Sequence, residues 1–159
     1  MVSAEQVHGA DVARVGRADG GKVVPGADAL ISGERDVTLV VRAADCGPVW
    51  LHCGKTGAIG LVHSGKKGTE LGIVPAAIRA MKKELGADPA EMLGLLGPCI
   101  RPPHYEVDFA REILRQMKAE GVGEIVDSGL CTASDPERFY SYRREQGKTG
   151  RHFAVLARA

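Results

Sequence analysis

Aromatic residues are scarce in this chain: three Phe, three Tyr and one Trp make up 4% of 159 residues. The core must therefore be built from Val, Leu, Ile and Ala. Apolar residues reach 44%, ordinary for a globular domain and too many for a disordered one. An excess charge of one sign is also missing. The 21 Lys and Arg face 20 Asp and Glu, a formal +1, so the basic imprint of a nucleic-acid partner is absent. No apolar run approaches the ~20 residues of a membrane span, and no signal peptide opens the chain. A cytoplasmic protein with no membrane partner is expected. None of the four cysteines, Cys46, Cys53, Cys99 and Cys131, pairs as CxxC, which removes zinc-ribbon and thioredoxin-like motifs. Without a secretory signal their thiols are expected to be reduced. At roughly 150 residues per domain, residues 1–159 read as a single domain.

Glycine is what the chain has in excess, 21 residues in all, which suggests tight turns and loops lying close to a ligand. Val12–Val15 and Lys22–Pro25 flank Asp19-Gly20-Gly21 and read as a hairpin, with Ala29–Ser32 a further strand. Val37–Arg42, Val49–Cys53 and Ala58–His63 read as three consecutive strands, with Asp45-Cys46 at the corner after the first. Ser64–Thr69 is a glycine-punctuated loop leading to a helix that begins near Pro75 and stops at Gly86. Met92–Leu96 is a strand, Val107–Glu120 a helix, Ile125-Val126 a strand, and Phe153–Leu156 a final strand. The class is α/β, or α+β with a mixed sheet.

Gly54-Lys55-Thr56 ends like a P-loop, but position 49 is Val rather than the required glycine, so it reads as a hairpin turn. The loop from His63 to Thr69 stands between a strand and a helix, where backbone amides hold anions, and Lys66 and Lys67 add charge. Cys46 and His63 both end strands beside glycine, 17 residues apart. Such a pair serves either as zinc or copper ligands or as a thiolate–imidazolium pair for nucleophilic attack. Asp45 is placed to orient a histidine or act as a general base. Phe139–Arg144 gathers aromatics, Tyr140 and Tyr142 among them, beside Arg143 and Arg144, a combination suited to a ring and an oxyanion.

Eight blocks in order then carry a resemblance. They are Gln6-Val7-His8-Gly9, Gly26–Ile31, Ala44–Val49, Val62–Gly65, Gly97–Ile100, Tyr105–Val107, Cys131-Thr132, and Phe139–Arg144 with Thr149–Arg151. Together, from residue 6 to 151, they resemble the YfiH-like, or laccase-domain, proteins, formerly called multicopper polyphenol oxidoreductases. The resemblance implies a layered α/β/β/α sandwich and a metal site, usually zinc, at His8, Cys46 and His63. It also implies purine nucleoside phosphorolysis, with adenosine, inosine or methylthioadenosine as substrate, and adenosine deamination. Copper-dependent phenol oxidation and editing of peptidoglycan precursors are other activities within the family. On this reading Arg143, with Lys67 or Arg151, holds phosphate, Tyr140 and Tyr142 border the base, and Asp45 or Glu106 handles protons alongside Cys46 and His63.

The chain departs from the family at His63-Ser64-Gly65-Lys66-Lys67-Gly68, where His-Ala-Gly-Trp-Arg-Gly is common. Lysine does not replace a guanidinium fork. The chain is also shorter before the Gln-x-His-Gly block and between Glu106 and Cys131, and a missing N-terminal layer would expose apolar sheet surface, which predicts a homodimer or burial against a partner. The leading expectation is a zinc-dependent purine nucleoside phosphorylase with adenosine deaminase activity. A copper phenol oxidase, a metal-free cysteine hydrolase built on Cys46 and His63, and a binding module without turnover are the alternatives.

Overall fold

The computed structural model describes residues 1–158. The chain forms β1 (Val2–Ala4), β2 (Val12–Arg14), β3 (Val23–Val24), β4 (Ala29–Ser32), β5 (Val37–Ala43), β6 (Gly47–Cys53) and β7 (Ile59–Ser64). Helices α1 (Lys66–Glu70) and α2 (Ile73–Leu85) follow, then β8 (Met92–Leu96), α3 (Phe109–Ala119), β9 (Glu124–Asp127) and β10 (His152–Arg158).

The strands divide into two sheets, β10-β5-β1-β3 and β2-β4-β7-β6-β8-β9. The six-stranded sheet is sandwiched, and its central strands read accordingly as continuous apolar runs, every residue of β4 and β7 being buried. Their side chains alternate between two cores. Ala29, Ile31 and Val62 join Ile73, Ile78 and Met81 of α2 and Ile113 and Met117 of α3. Leu30, Ile59 and Leu61 point the other way, onto Val2, Leu39, Val41 and Ala154 of the four-stranded sheet. Two cores of mid-sized aliphatics satisfy a sequence almost without aromatics.

The helices are local products of spacing and caps. In α3, Phe109, Ala110, Ile113, Gln116 and Met117 line one buried face, and the Asp108 side chain caps it by accepting from the Arg111 amide at 3.0 Å. Helix α2 ends at Gly86 in the left-handed region, φ 63°, as expected from the sequence. Pro75 stands third in α2, within the first turn, where its missing N–H breaks no helical bond.

Two local readings are corrected. Val12–Val15 and Lys22–Pro25 do not form a hairpin: β2 pairs in parallel with β4, and β3 pairs in parallel with β1, in different sheets. Arg17–Asp19 is a 3-10 turn in which the Asp19 side chain accepts from the Gly16 amide, so Asp-Gly-Gly marks a crossover instead. Residues expected as a loop after His63 form α1. The mixed α/β class and the two packed sheets match expectation. Helices pack on the six-stranded sheet, whereas Val23, Phe153 and Val155 stand exposed on the outward face of the other. A second helical layer is not found among the described residues.

Candidate active site

Strands β1, β3 and β5 are mutually parallel, so their C-terminal ends lie at one end of the four-stranded sheet. From each of them the chain passes to the six-stranded sheet, through residues 5–11, 25–28 and 44–46. Strand β10 runs antiparallel to β5 and starts at the same end, so residues 128–151 arrive there too. Four irregular passages thus converge, and a cavity of about 980 Å³ lies among them. The backbone is strained where they meet. Of the five non-glycine residues with positive φ among the described residues, four line this cavity: Gln6 (68°), His8 (60°), Asp45 (91°) and Gln146 (51°). Such conformations persist only where surrounding contacts enforce them, and they concentrate at functional sites.

Cys46 ends the corner before β6, and the antiparallel register sets Gly47 opposite Ser64 and Pro48 opposite His63. That register brings the Cys46 thiol to the His63 ring. His8 closes the group from the β1–β2 passage, its ring 5.0 Å from that of His63 in an edge-on arrangement. The ligand atoms of His8, Cys46 and His63 all lie within 4.8 Å of one another. A tetrahedral ion with bonds of roughly 2.0–2.3 Å holds such donors about 3.3–3.6 Å apart, a closure of at most about 1.5 Å. One thiolate and two imidazoles suit zinc or copper and leave a coordination position free of protein. Gly65 makes room for the sulfur, because a Cβ there would collide with Cys46 Sγ.

Asp28 organises the triad from beneath, fully buried immediately before β4. Its Oδ1 accepts from the His63 ring at Nδ1 (2.8 Å) and from the His8 amide (3.1 Å). Its Oδ2 accepts from the amides of Val7 (3.1 Å) and Gly9 (2.7 Å). Burial alone would raise the Asp28 carboxyl, but these bonds outweigh it and hold the pKa below the ordinary value. An ionised carboxylate only accepts, so Nδ1 of His63 carries the proton and Nε2 is left to face Cys46. Burial opposes charge on all three members of the triad, yet hydrogen bonds and mutual attraction prevail. His63 rises to about 9, through Asp28 and Cys46. The Cys46 thiol falls to about 7, through His63 and His8. His8 is raised by its hydrogen bond to Cys46. Cys99, by contrast, is pushed up to about 12 by burial.

Around this floor, Asp45 is a tie between passages. Its Oδ1 accepts from Thr132 Oγ1 at 2.6 Å and its Oδ2 from the Arg143 amide at 2.7 Å, so both oxygens are engaged. Arg143 pairs with Glu106 at 2.8 Å and lies 4.8 Å over the Tyr105 ring. Tyr142 and Arg151 also line the cavity, with the Arg151 guanidinium 5.8 Å over the Tyr142 ring. Lys67 and Tyr140 are not among the lining residues; Lys66 takes the first place, and Tyr140 stacks on His152 at 6.2 Å. Sequence reasoning gave no role to Asp28, Arg42, Tyr105 or Thr132. The signals for Asp28 were its place in the Gly26–Ile31 block and a carboxylate opening the apolar run Ala29-Leu30-Ile31.

The class defined by fold and site is a two-sheet α/β protein with a His-Cys-His group able to hold a metal ion at the inter-sheet passages. Residues 1–113 and 107–159 match the model of the family described as multi-copper polyphenol oxidoreductase laccase, and the chain belongs to that family. A Streptomyces coelicolor protein named purine nucleoside phosphorylase SCO2081 is 36% identical over 95% of this chain and 72% of its own length. The purine nucleoside phosphorylase YlmD of Geobacillus stearothermophilus is 30% identical over 99% of this chain and 72% of its own. The crystal structure of YlmD from that organism superposes with a TM-score of 0.92 at 29% identity, covering 99% of this chain and 73% of the other. The alignments to these two sequences run to 177 and 196 positions, longer than the chain, so the relatives carry additional residues. The two matched pieces meet at 107–113, where α3 begins.

Proposed function

We propose that this protein is a purine nucleoside phosphorylase whose zinc ion is held by His8, Cys46 and His63. The carrying observation is the Asp28-oriented His-Cys-His cluster in a cavity of about 980 Å³, which has room for a nucleoside and phosphate together. Its relatives named purine nucleoside phosphorylase support the reading.

In the reaction an oxygen of hydrogen phosphate bonds to C1′ of the nucleoside as the C1′–N9 bond breaks. The bonding pair leaves with the purine, and the proton of phosphate ends on the purine nitrogen, giving ribose 1-phosphate and free base. When bound, the metal supplies positive charge to offset the negative charge that develops as the bond breaks. The side chains hold the reactants. Tyr105, Phe109 and Tyr142 offer apolar faces to the base and sugar. Glu106 has its pKa lowered by its own backbone amide and by Arg143, so it is an acceptor for ribose hydroxyls and not a proton donor at neutral pH. Asp45, with both oxygens bonded, is a positioning residue that keeps residues 132 and 143 against the site. Adenosine deamination, in which water displaces ammonia at C6, is the second activity proposed for this centre. Its support is the coordination position that three protein donors leave free.

Copper phenol oxidation is less favoured. Among the described residues a single group gathers three potential metal donors, too few for a set of cooperating coppers. The test is incubation of zinc-loaded protein with inosine, adenosine, guanosine and methylthioadenosine, with and without phosphate. Phosphate-dependent release of base and ribose 1-phosphate, lost in Cys46→Ala, is expected. No base released from any of the four nucleosides overturns the proposal.

A further inference from the structure

The chain is almost neutral, yet its cavity is not. Its lining includes Arg42, Lys66, Arg143 and Arg151 against Glu5 and Asp45, and Asp45 is already bonded through both oxygens. Glu5 accepts from the Gly26 amide at 2.7 Å. The four cations are not equivalent. Arg143 is committed to Glu106 and to the Tyr105 face. Lys66 sits on the same wall, close enough to lower the Glu106 carboxyl.

Arg42 and Arg151 stand apart from these. Arg42 has its peptide clamped on both sides by Gln6, whose Nε2 donates to the Arg42 carbonyl at 2.6 Å and whose Oε1 accepts from its amide at 2.8 Å. Its guanidinium pairs with no carboxylate among the described residues. The Arg151 Nη1 donates to the carbonyls of Thr149 (3.0 Å) and Gly150 (2.8 Å), and its guanidinium lies 5.8 Å over the Tyr142 ring; these contacts hold the side chain, and none supplies a carboxylate to neutralise it. The strand register makes the two neighbours: Arg42 is opposite Phe153, and Arg151 lies two residues before Phe153. Diagonal cross-strand neighbours on one face lie about 7–8 Å apart at the backbone, well within the convergence of two arginine side chains. Two unneutralised guanidinium forks on one wall of a cavity match the oxygens of a phosphate.

We infer that Arg42 and Arg151 form the phosphate subsite, and that Arg143 positions the nucleoside through Glu106. The inference rests on the phosphorylase reading for the role of the anion, but not for its binding. Both side chains are exposed, so their replacement leaves the fold intact. The test uses zinc-loaded wild type, Arg42→Gln, Arg151→Gln, the double variant and Arg143→Gln. Phosphate KM is measured at saturating inosine, and binding of inorganic phosphate alone by phosphorus NMR line broadening.

Each of the first two replacements is expected to raise phosphate KM about ten- to hundredfold while inosine KM stays within about threefold. Arg42→Lys restores part of the loss. Phosphate KM unchanged in the double variant, or raised only in Arg143→Gln, overturns the inference. If wild type cleaves no nucleoside, the phosphorylase reading fails, and the NMR titration still decides the subsite. Weaker phosphate binding in the double variant supports it, and equal binding refutes it. Adenosine 5′-monophosphate run beside free phosphate separates the two sources of the anion. Loss of affinity for the nucleotide alone overturns the assignment to the attacking phosphate.

Discussion

Asp28→Asn probes the site at its foundation, because one buried carboxylate holds two of the three ligands, His63 through its ring and His8 through its backbone. The four donors divide two by two: the Val7 and Gly9 amides face Oδ2, while the His8 amide and the His63 ring face Oδ1. An asparagine has one oxygen and one NH2, so whichever way it turns, two donors meet a donor. A buried donor left unsatisfied costs about 1–3 kcal/mol, so the variant should lose about 2–6 kcal/mol, a large share of a typical 5–15. If NH2 replaces Oδ1, His63 is driven to the tautomer that accepts at Nδ1. The proton then occupies Nε2, where a metal would bind. If NH2 replaces Oδ2, the loop that carries His8 loosens. Either way metal affinity should fall at least 10–100-fold, the usual effect of losing a ligand's hydrogen-bond partner. The assay is urea unfolding of both proteins in chelator, which keeps metal binding out of the stability difference, followed by zinc titration of each. Metal affinity within threefold of wild type, with less than about 1 kcal/mol of destabilisation, would refute the role given to Asp28.

Other outcomes follow from the same geometry. Gly65→Ala should abolish metal binding with little loss of stability, because the backbone at φ −99° tolerates alanine while its Cβ strikes Cys46 Sγ; metal titration beside a melting curve separates the two. In chelator, alkylation of Cys46 by iodoacetamide should rise with pH about a midpoint near 7, while buried Cys99 stays unreactive; peptide mass spectrometry reads each site. Zinc affinity should climb as pH rises from 6 to 9, because Cys46 releases its proton near 7 and His63 near 9 in the metal-free protein, and binding displaces both. A pH-independent affinity would contradict those assignments. Thr132→Val removes a buried donor to Asp45 and should cost about 1.5–3 kcal/mol in urea unfolding and raise nucleoside KM, as the 132–143 segment loosens.

The sequence disclosed the triad better than the wall around it. Cys46 and His63 were legible because each ends an apolar run at a glycine, where a strand terminates and a side chain reaches the sheet end. His8, on a three-residue strand's exit loop, was placed by resemblance to a family and not by any periodicity. Strand β1 has only three residues and pairs with strands distant in sequence, so no alternation marks it. The hairpin over residues 12–25 was misread for a related reason: a turn dipeptide joins neighbours in sequence, and here both flanking strands found longer-range partners. Arg42 looked like an ordinary strand residue before Asp45-Cys46. Only the three-dimensional ion-pair pattern, with Arg143 engaged by Glu106 and Arg42 unpaired, distinguishes the two guanidinium groups. Lys67 was favoured over Lys66 because adjacent residues cannot be ranked until α1 sets which one borders the cavity.

A single metal ion held by His8, Cys46 and His63 should be visible as metal content in the purified protein. Wild type, Cys46→Ala and Cys53→Ala are purified untagged without added metal, and their metal is quantified by inductively coupled plasma mass spectrometry. About one zinc per chain is predicted for wild type and for Cys53→Ala, whose sulfur is buried in the core beneath the helices and outside the His-Cys-His group, and none for Cys46→Ala. Zinc retained at full occupancy in Cys46→Ala, or several coppers per chain in wild type, would contradict that ligand set.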